Sequence, residues 1–113
     1  MPGAASTEDL GRLDIRAGTV VRCEPFPEAR APALKLWIDF GTDVGTKASS
    51  ARITDLYAPQ DVVGRQVLGV VNLPPRRVGP FVSEVLTLGV YADGGTVVLV
   101  GPERTVPDGA RLG

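Results

Sequence analysis

The stretch LKLWIDF, residues 34 to 40, alternates strictly between apolar and polar side chains. Leu34, Leu36, Ile38 and Phe40 share one face, and Lys35, Trp37 and Asp39 share the other. That is the period of a half-buried strand, not of a helix. Fourteen glycines and ten prolines punctuate the chain, which suits many short elements joined by defined turns rather than a helical bundle.

Other segments extend the pattern. IRAGTVVRC, residues 15 to 23, reads as a strand with Ile15, Ala17, Thr19, Val21 and Cys23 on one face. Gly18 in its middle allows a tight bend where one strand serves two sheets. EPFPEARAP, residues 24 to 32, is a proline-bracketed connector. GTDVG is a turn, TKASSARI a polar strand candidate, and ITDLYAPQDVVG a short helix halted before Pro59 with a second turn ended by Gly64. A strand follows at 66 to 72, then a loop at 73 to 82 and a strand at 83 to 91. Asp93-Gly94-Gly95 signals a hairpin into TVVLV, residues 96 to 100. Ser6 with Asp9 three residues on is a weak capping box at the start of a short N-terminal helix. Pro107-Asp108-Gly109 makes a last turn, so an ordered, docked tail is expected. Five to seven short strands with one short internal helix predict an all-β fold, a small Greek-key OB-fold barrel. It is expected to fill residues 1–113 as a single domain, with residues 1–12 as an N-terminal extension and a C-terminal extension.

Charge and residue types narrow the chemistry. No histidine is present and Cys23 is the only cysteine, so an internal disulfide, histidine acid–base catalysis and a structural zinc site are excluded. Ser49 and Ser50 have no basic partner at a readable spacing and read as hydrogen-bonding residues rather than nucleophiles. Gly94-Gly95 lacks the Lys-Ser/Thr of a P-loop. Neither a cofactor nor an enzymatic activity is expected. The first residues carry no basic, apolar leader, and the expectation is a cytoplasmic, soluble protein. Net charge is −1, but residues 30 to 77 carry a net +3 and the remainder a net −4. Such a dipolar distribution steers anionic partners to one side, unless it is simply a mixed solvated surface.

Binding residues collect around 66 to 90. Asn72, Arg76, Arg77, Phe81 and Ser83 cluster at two strand ends, with Pro74, Pro75 and Pro80 stiffening the loop between them. Arginines grip phosphates or carboxylates, and OB barrels hold single strands in such grooves. Lys35, Trp37, Lys47, Ser49 and Arg52 are the candidates from the neighbouring strands. Trp37 either faces outward as an interface or stacking residue or lies under the 24–32 connector. Arg76 and Arg77 as solvated charges, with Phe81 as a barrel cap, is the plain alternative.

LDIRAGTVV, FPEARAPALKLWIDFG and YAPQDVVGRQVLGVVNLPPRRVGPFVSEVLTLG together resemble the tRNA-binding-domain family. The Phe-Pro-Glu-Ala-Arg-x-Pro-Ala run at 26 to 33, the Pro-Pro-Arg-Arg at 74 to 77 and the residues after Ser83-Glu84 are similar to its CsaA-type, export-associated chaperone branch. The resemblance implies an OB-fold, usually a homodimer, that binds unfolded or precursor polypeptides without ATP. tRNA or another structured RNA on the same surface is the alternative partner. No membrane insertion is implied.

Overall fold

The computed structural model describes residues 3–113. Helix α1 (Thr7–Gly11) opens the described chain, and its start is a true capping box. The Ser6 hydroxyl accepts from the Asp9 amide at 3.3 Å, while the Asp9 carboxylate accepts from the Ser6 amide at 2.9 Å. Strands β1 (Ile15–Pro25), β2 (Leu34–Asp39) and β3 (Thr46–Ala51) follow, with a single helical turn, α2 (Gly41–Val44), between the last two. Helix α3 (Pro59–Val62) leads into β4 (Gln66–Val70). Next come β5 (Arg76–Val78), β6 (Phe81–Ser83), β7 (Leu86–Thr87), β8 (Gly89–Tyr91) and β9 (Val97–Leu99). Five strands form one antiparallel sheet in the order β3-β2-β1-β4-β7, and β5–β6 and β8–β9 are separate hairpins. The result is a nearly closed OB-type barrel with α3 between its third and fourth strands. No helix among the described residues is long and apolar enough to cross a membrane.

Strand β2 matches its alternation residue for residue: Leu34, Leu36, Ile38 and Phe40 are all buried. They form the core with Val20, Ala51, Ile53, Val62, Val67 and Val85. Strand β1 departs from the expected face. Its first half pairs with β4 and its second half with β2, and a bulge between Val20 and Arg22 shifts the register. A bulge adds one residue and turns the following side chains over. Ahead of the bulge the inward face has already passed from Ala17 to Val20, which is 1 % exposed; Val21 is the extra residue and 50 % exposed, and beyond it Cys23 is half-buried against the core. Period-2 reading alone carries no mark of that extra residue.

Gly18 lies just before Thr19, the residue at which β1 pairs with both neighbours. A Cβ there would lie 2.7 Å from both Ile38 and Phe40 side-chain carbons and 2.9 Å from the Asp39 carbonyl oxygen. Gly69 on β4 leaves room for the far end of the same Phe40 ring. Two glycines thus make the slot for the largest fully buried side chain.

Three other expectations change. The short helix expected before Pro59 does not form, residues 54–56 being a turn, whereas the stretch from Pro59 to Gly64 holds the helical turn Pro59–Val62. Proline at its first turn and the Asp61 carboxylate on the Ala58 amide at 2.9 Å define that start. The loop at 73 to 82 is largely a hairpin, with Gly79 at φ +58 as the first of its two loop residues. The strand at 83 to 91 breaks into three pieces, one in each sheet, because successive residues bond different neighbours. Nine strands result among the described residues where five to seven were counted.

The C-terminal tail docks as expected. Gly109 and Leu112 amides donate to the Ala17 and Ile15 carbonyls at 2.8 Å each, and Ala17 donates to Ala110 at 2.9 Å. This covers the edge of β1 that β2 leaves open. Asp14 anchors both ends, meeting Arg16 at 2.9 Å and Arg111 at 3.3 Å. The Arg16 hydrogen bond, helped by the charges of Arg16 and Arg111, holds the Asp14 carboxyl below its ordinary value against the opposing effect of burial.

Gly18→Ala is expected to lower stability by roughly 1–3 kcal/mol in chemical denaturation, because a core ring and backbone must move. Gly11→Ala, with open space around it, is expected to be neutral or to stabilise by up to about 1 kcal/mol. A group with a depressed folded pKa stabilises above its unfolded value, and that contribution fades as pH falls through the folded one. Asp14→Asn should therefore cost about 1 kcal/mol near neutral pH, with the gap to the unchanged protein closing in denaturation curves taken below the ordinary aspartate range.

Candidate functional site

The β5–β6 hairpin is held to the barrel at two places. At its base, Ser83 and Glu84 meet the outer edge of β3. The Ser83 hydroxyl accepts from the Ser50 amide at 3.0 Å, the Glu84 carboxylate accepts from the Ala48 amide at 3.0 Å, and the Glu84 amide donates to the Ala48 carbonyl at 2.8 Å. Further out, Phe81 stands edge-on to Trp37 on β2 at 5.9 Å between ring centres and to Phe26 of the connector at 5.4 Å. Such edge-to-face pairs add about 0.5–1.5 kcal/mol beyond area burial. Lys35 lies over Phe26 and Phe81, and Arg22 lies 4.5 Å over Trp37.

Between the connector and this hairpin runs a cleft of about 420 Å³. Arg30, Arg52, Arg76 and Arg77 line it, with Glu28 as its one carboxylate. None of these four arginines has an ion-pair partner among the described residues, whereas seven of the twelve basic residues do. Four exposed guanidinium groups sharing one concave surface repel one another through solvent, and a bound anion lowers that repulsion. Ser50 and Arg76 also belong to an adjoining pocket of about 200 Å³ whose walls are Leu73, Pro74, Val85 and Leu86. A further groove beyond Arg52 and Arg76 reaches Tyr91 on β8, a ring left 85 % exposed.

The residues expected from sequence therefore divide. Arg52, Arg76 and Arg77 come together in the cleft. Trp37 and Phe81 are half-buried members of the aromatic joint, and Lys35 caps it while lying 3.9 Å from Glu24. Trp37 is thus neither an open outward platform nor simply roofed by the connector. Lys47 sits 3.9 Å from the Glu84 carboxylate, beside the barrel closure. Ser49 is fully buried; its hydroxyl donates to the Val85 carbonyl at 3.2 Å and accepts from Thr87 at 2.7 Å. It offers no surface to a ligand. Ser83 is likewise buried in the closure. Asn72 spends both ends of its amide on the N-terminal segment, accepting from the Asp14 amide at 2.9 Å and donating to the Arg12 carbonyl at 3.0 Å. Asn72, Ser49 and Ser83 are fasteners.

Arg30, Tyr91 and the apolar pocket were not read from the sequence. Arg30 sits in an irregular connector whose path no periodicity discloses, and Tyr91 is one exposed ring on a hairpin. Cys23 adds no reactivity: burial, with the Glu24 charge beside it, pushes its thiol up to about 11, far from a thiolate at neutral pH.

A model of the family described as "Putative tRNA binding domain" matches residues 15–111. Chaperone CsaA from Bacillus anthracis str. Ames is 49 % identical, covers 98 % of this chain and 100 % of that one, and superimposes with a TM-score of 0.92. CsaA chaperone protein from Picrophilus torridus is 36 % identical with a TM-score of 0.90, covering 97 % and 100 % of the two chains. A methionine–tRNA ligase from Bacteroides fragilis is 36 % identical over 105 residues, which are 93 % of this chain but 15 % of the ligase. The chain spans only that small share of the ligases it matches, so their activity does not come with the likeness. By the family match over residues 15–111 and the end-to-end match to CsaA chaperones, this chain belongs to the tRNA-binding-domain family and, within it, to the CsaA type.

Proposed function

We propose that this protein is a passive, ATP-independent chaperone that holds unfolded or precursor polypeptides, with no catalytic step of its own. The observation that carries the reading is the junction of an arginine cleft with an apolar pocket, through Ser50 and Arg76. Extended polypeptide presents apolar side chains, carbonyls and carboxylates side by side, and this surface has a counterpart for each. End-to-end likeness to proteins named CsaA chaperones supports the same reading. Service in the cytoplasm, with a link to export, is part of the same proposal.

A homodimer is part of the proposal. Val90, Leu10, Leu13 and Leu112 are exposed apolar side chains, and a small barrel gains stability by pairing such surface. A second reading, tRNA or structured-RNA binding, is favoured by one further observation. Tyr91, open and in a groove with Arg52 and Arg76, combines a stacking ring with phosphate-binding groups.

Stoichiometric protein should suppress the aggregation of a chemically unfolded substrate, measured by light scattering. A variant with Arg52, Arg76 and Arg77 all changed to serine should lose most of that effect while keeping its fold by circular dichroism. Equal suppression by both proteins would sink the polypeptide reading for this cleft. tRNA isotherms at several salt concentrations test the second reading, since affinity carried by phosphates falls by a slope of about 0.7–0.9 per contact in a log–log plot. Sedimentation showing a monomer at micromolar concentration would contradict the dimer.

A further inference from the structure

Resting on the polypeptide reading above, we infer that the cleft selects segments in which an apolar side chain has an acidic residue close by, and discriminates against segments whose apolar residues have basic neighbours. Three observations carry this. The apolar pocket is walled by Leu73, Pro74, Val85 and Leu86 and holds about 200 Å³. It is smaller than the roughly 300–1,000 Å³ of small-molecule sites and suits one aliphatic or aromatic side chain. Its only charged lining residues are Arg76 and Glu84. Glu84 is occupied, accepting from the Ala48 amide at 3.0 Å with Lys47 at 3.9 Å.

The neighbouring cleft shares Arg76 with this pocket and sets four arginines against the single carboxylate of Glu28. An extended chain advances about 3.3 Å per residue, so a side chain in the pocket brings residues about two or three positions away beside Arg76 and its neighbours. A carboxylate there meets unpaired guanidinium groups, which bind carboxylates in pairs of parallel hydrogen bonds. An ammonium or guanidinium there meets four like charges. The occupant favoured by the cleft is therefore an apolar–acidic segment of an unfolded chain.

The nearby rings argue for polypeptide over stacked bases in this part of the surface. Phe26 is buried, Phe81 is wedged between two rings, and Trp37 has Arg22 over its face. They brace the connector that carries Arg30, and none of the three is an open platform; the open ring, Tyr91, lies in the separate groove beyond Arg52 and Arg76 and does not line the four-arginine cleft.

Fluorescence anisotropy with labelled synthetic peptides decides the matter. One peptide has leucines flanked by aspartates; a second replaces the aspartates with lysines; a third keeps the aspartates and replaces the leucines with serines. The first should bind about tenfold tighter than the second at low salt, with the gap narrowing near 0.5 M salt, where screening acts within about 4 Å. The third should be weaker than the first by several fold. Reversing the charge of exposed cleft residues in an Arg52→Glu, Arg77→Glu variant should invert the order of the first two, and Leu73→Ser should weaken the first without inverting it.

Equal binding of the first two peptides, or an order unmoved by charge reversal, overturns the inference. If the protein still suppresses aggregation in that case, only the selectivity falls. If it holds neither peptides nor unfolded protein, the chaperone reading falls with it. tRNA binding that is abolished by the charge reversal, with no peptide bound, overturns the inference in favour of RNA.

Discussion

The amides of Ala48 and Ser50 point out from the edge of β3, and what they meet decides whether the barrel closes. Unpaired edge amides cost free energy when buried and invite other chains when exposed. Here side chains take the place of a partner strand: the Glu84 carboxylate meets one amide and the Ser83 hydroxyl the other. Only one backbone bond, from Glu84 to Ala48, belongs to an ordinary ladder. Because the closure uses two adjacent side chains, the chain is free to turn away on either side of it. On one side it leaves as the β5–β6 hairpin; on the other it enters β7. The hairpin that carries Arg76 and Arg77 thus takes its position from the same few bonds that finish the barrel.

The second fastening works by shape rather than by polarity. Phe26, Phe81 and Trp37 belong to three different segments, and the edge-on contacts of Phe81 with the other two join connector, hairpin and barrel wall. That joint brings Arg30 from the connector to the other three arginines. Four like charges in one cleft oppose folding, so the apolar and aromatic contacts around them must outweigh the repulsion. Under the proposed function, that repulsion is stability given up for binding.

Much of this was legible in the order of residues. LKLWIDF announced a half-buried strand, and its four apolar residues are the centre of the core. Asp93-Gly94-Gly95 announced the β8–β9 hairpin, and Ser6 with Asp9 the first helix. The arginines at 76 and 77 were visible as a pair on a stiffened loop. What stayed hidden depended on contacts distant in sequence. No local pattern shows that Ser49 faces inward to Val85, that Asn72 ties down Arg12 and Asp14, or that Arg30 folds back to the hairpin. The bulge near Val21 was equally silent, since an inserted residue looks like any other until the partner strand is known. Asn72, Ser83 and Arg76 all lie within a dozen residues, yet two act as fasteners and one lines the cleft.

The aromatic joint has one more consequence. Trp37 is the single tryptophan of the chain, and its indole sits between the Arg22 guanidinium and the Phe81 ring. Its intrinsic fluorescence therefore comes from one place, the hinge line where the hairpin meets the barrel wall. Any loosening of that line changes the polarity around the indole and so the colour of its emission. The protein carries its own optical gauge for the part that holds its arginines together.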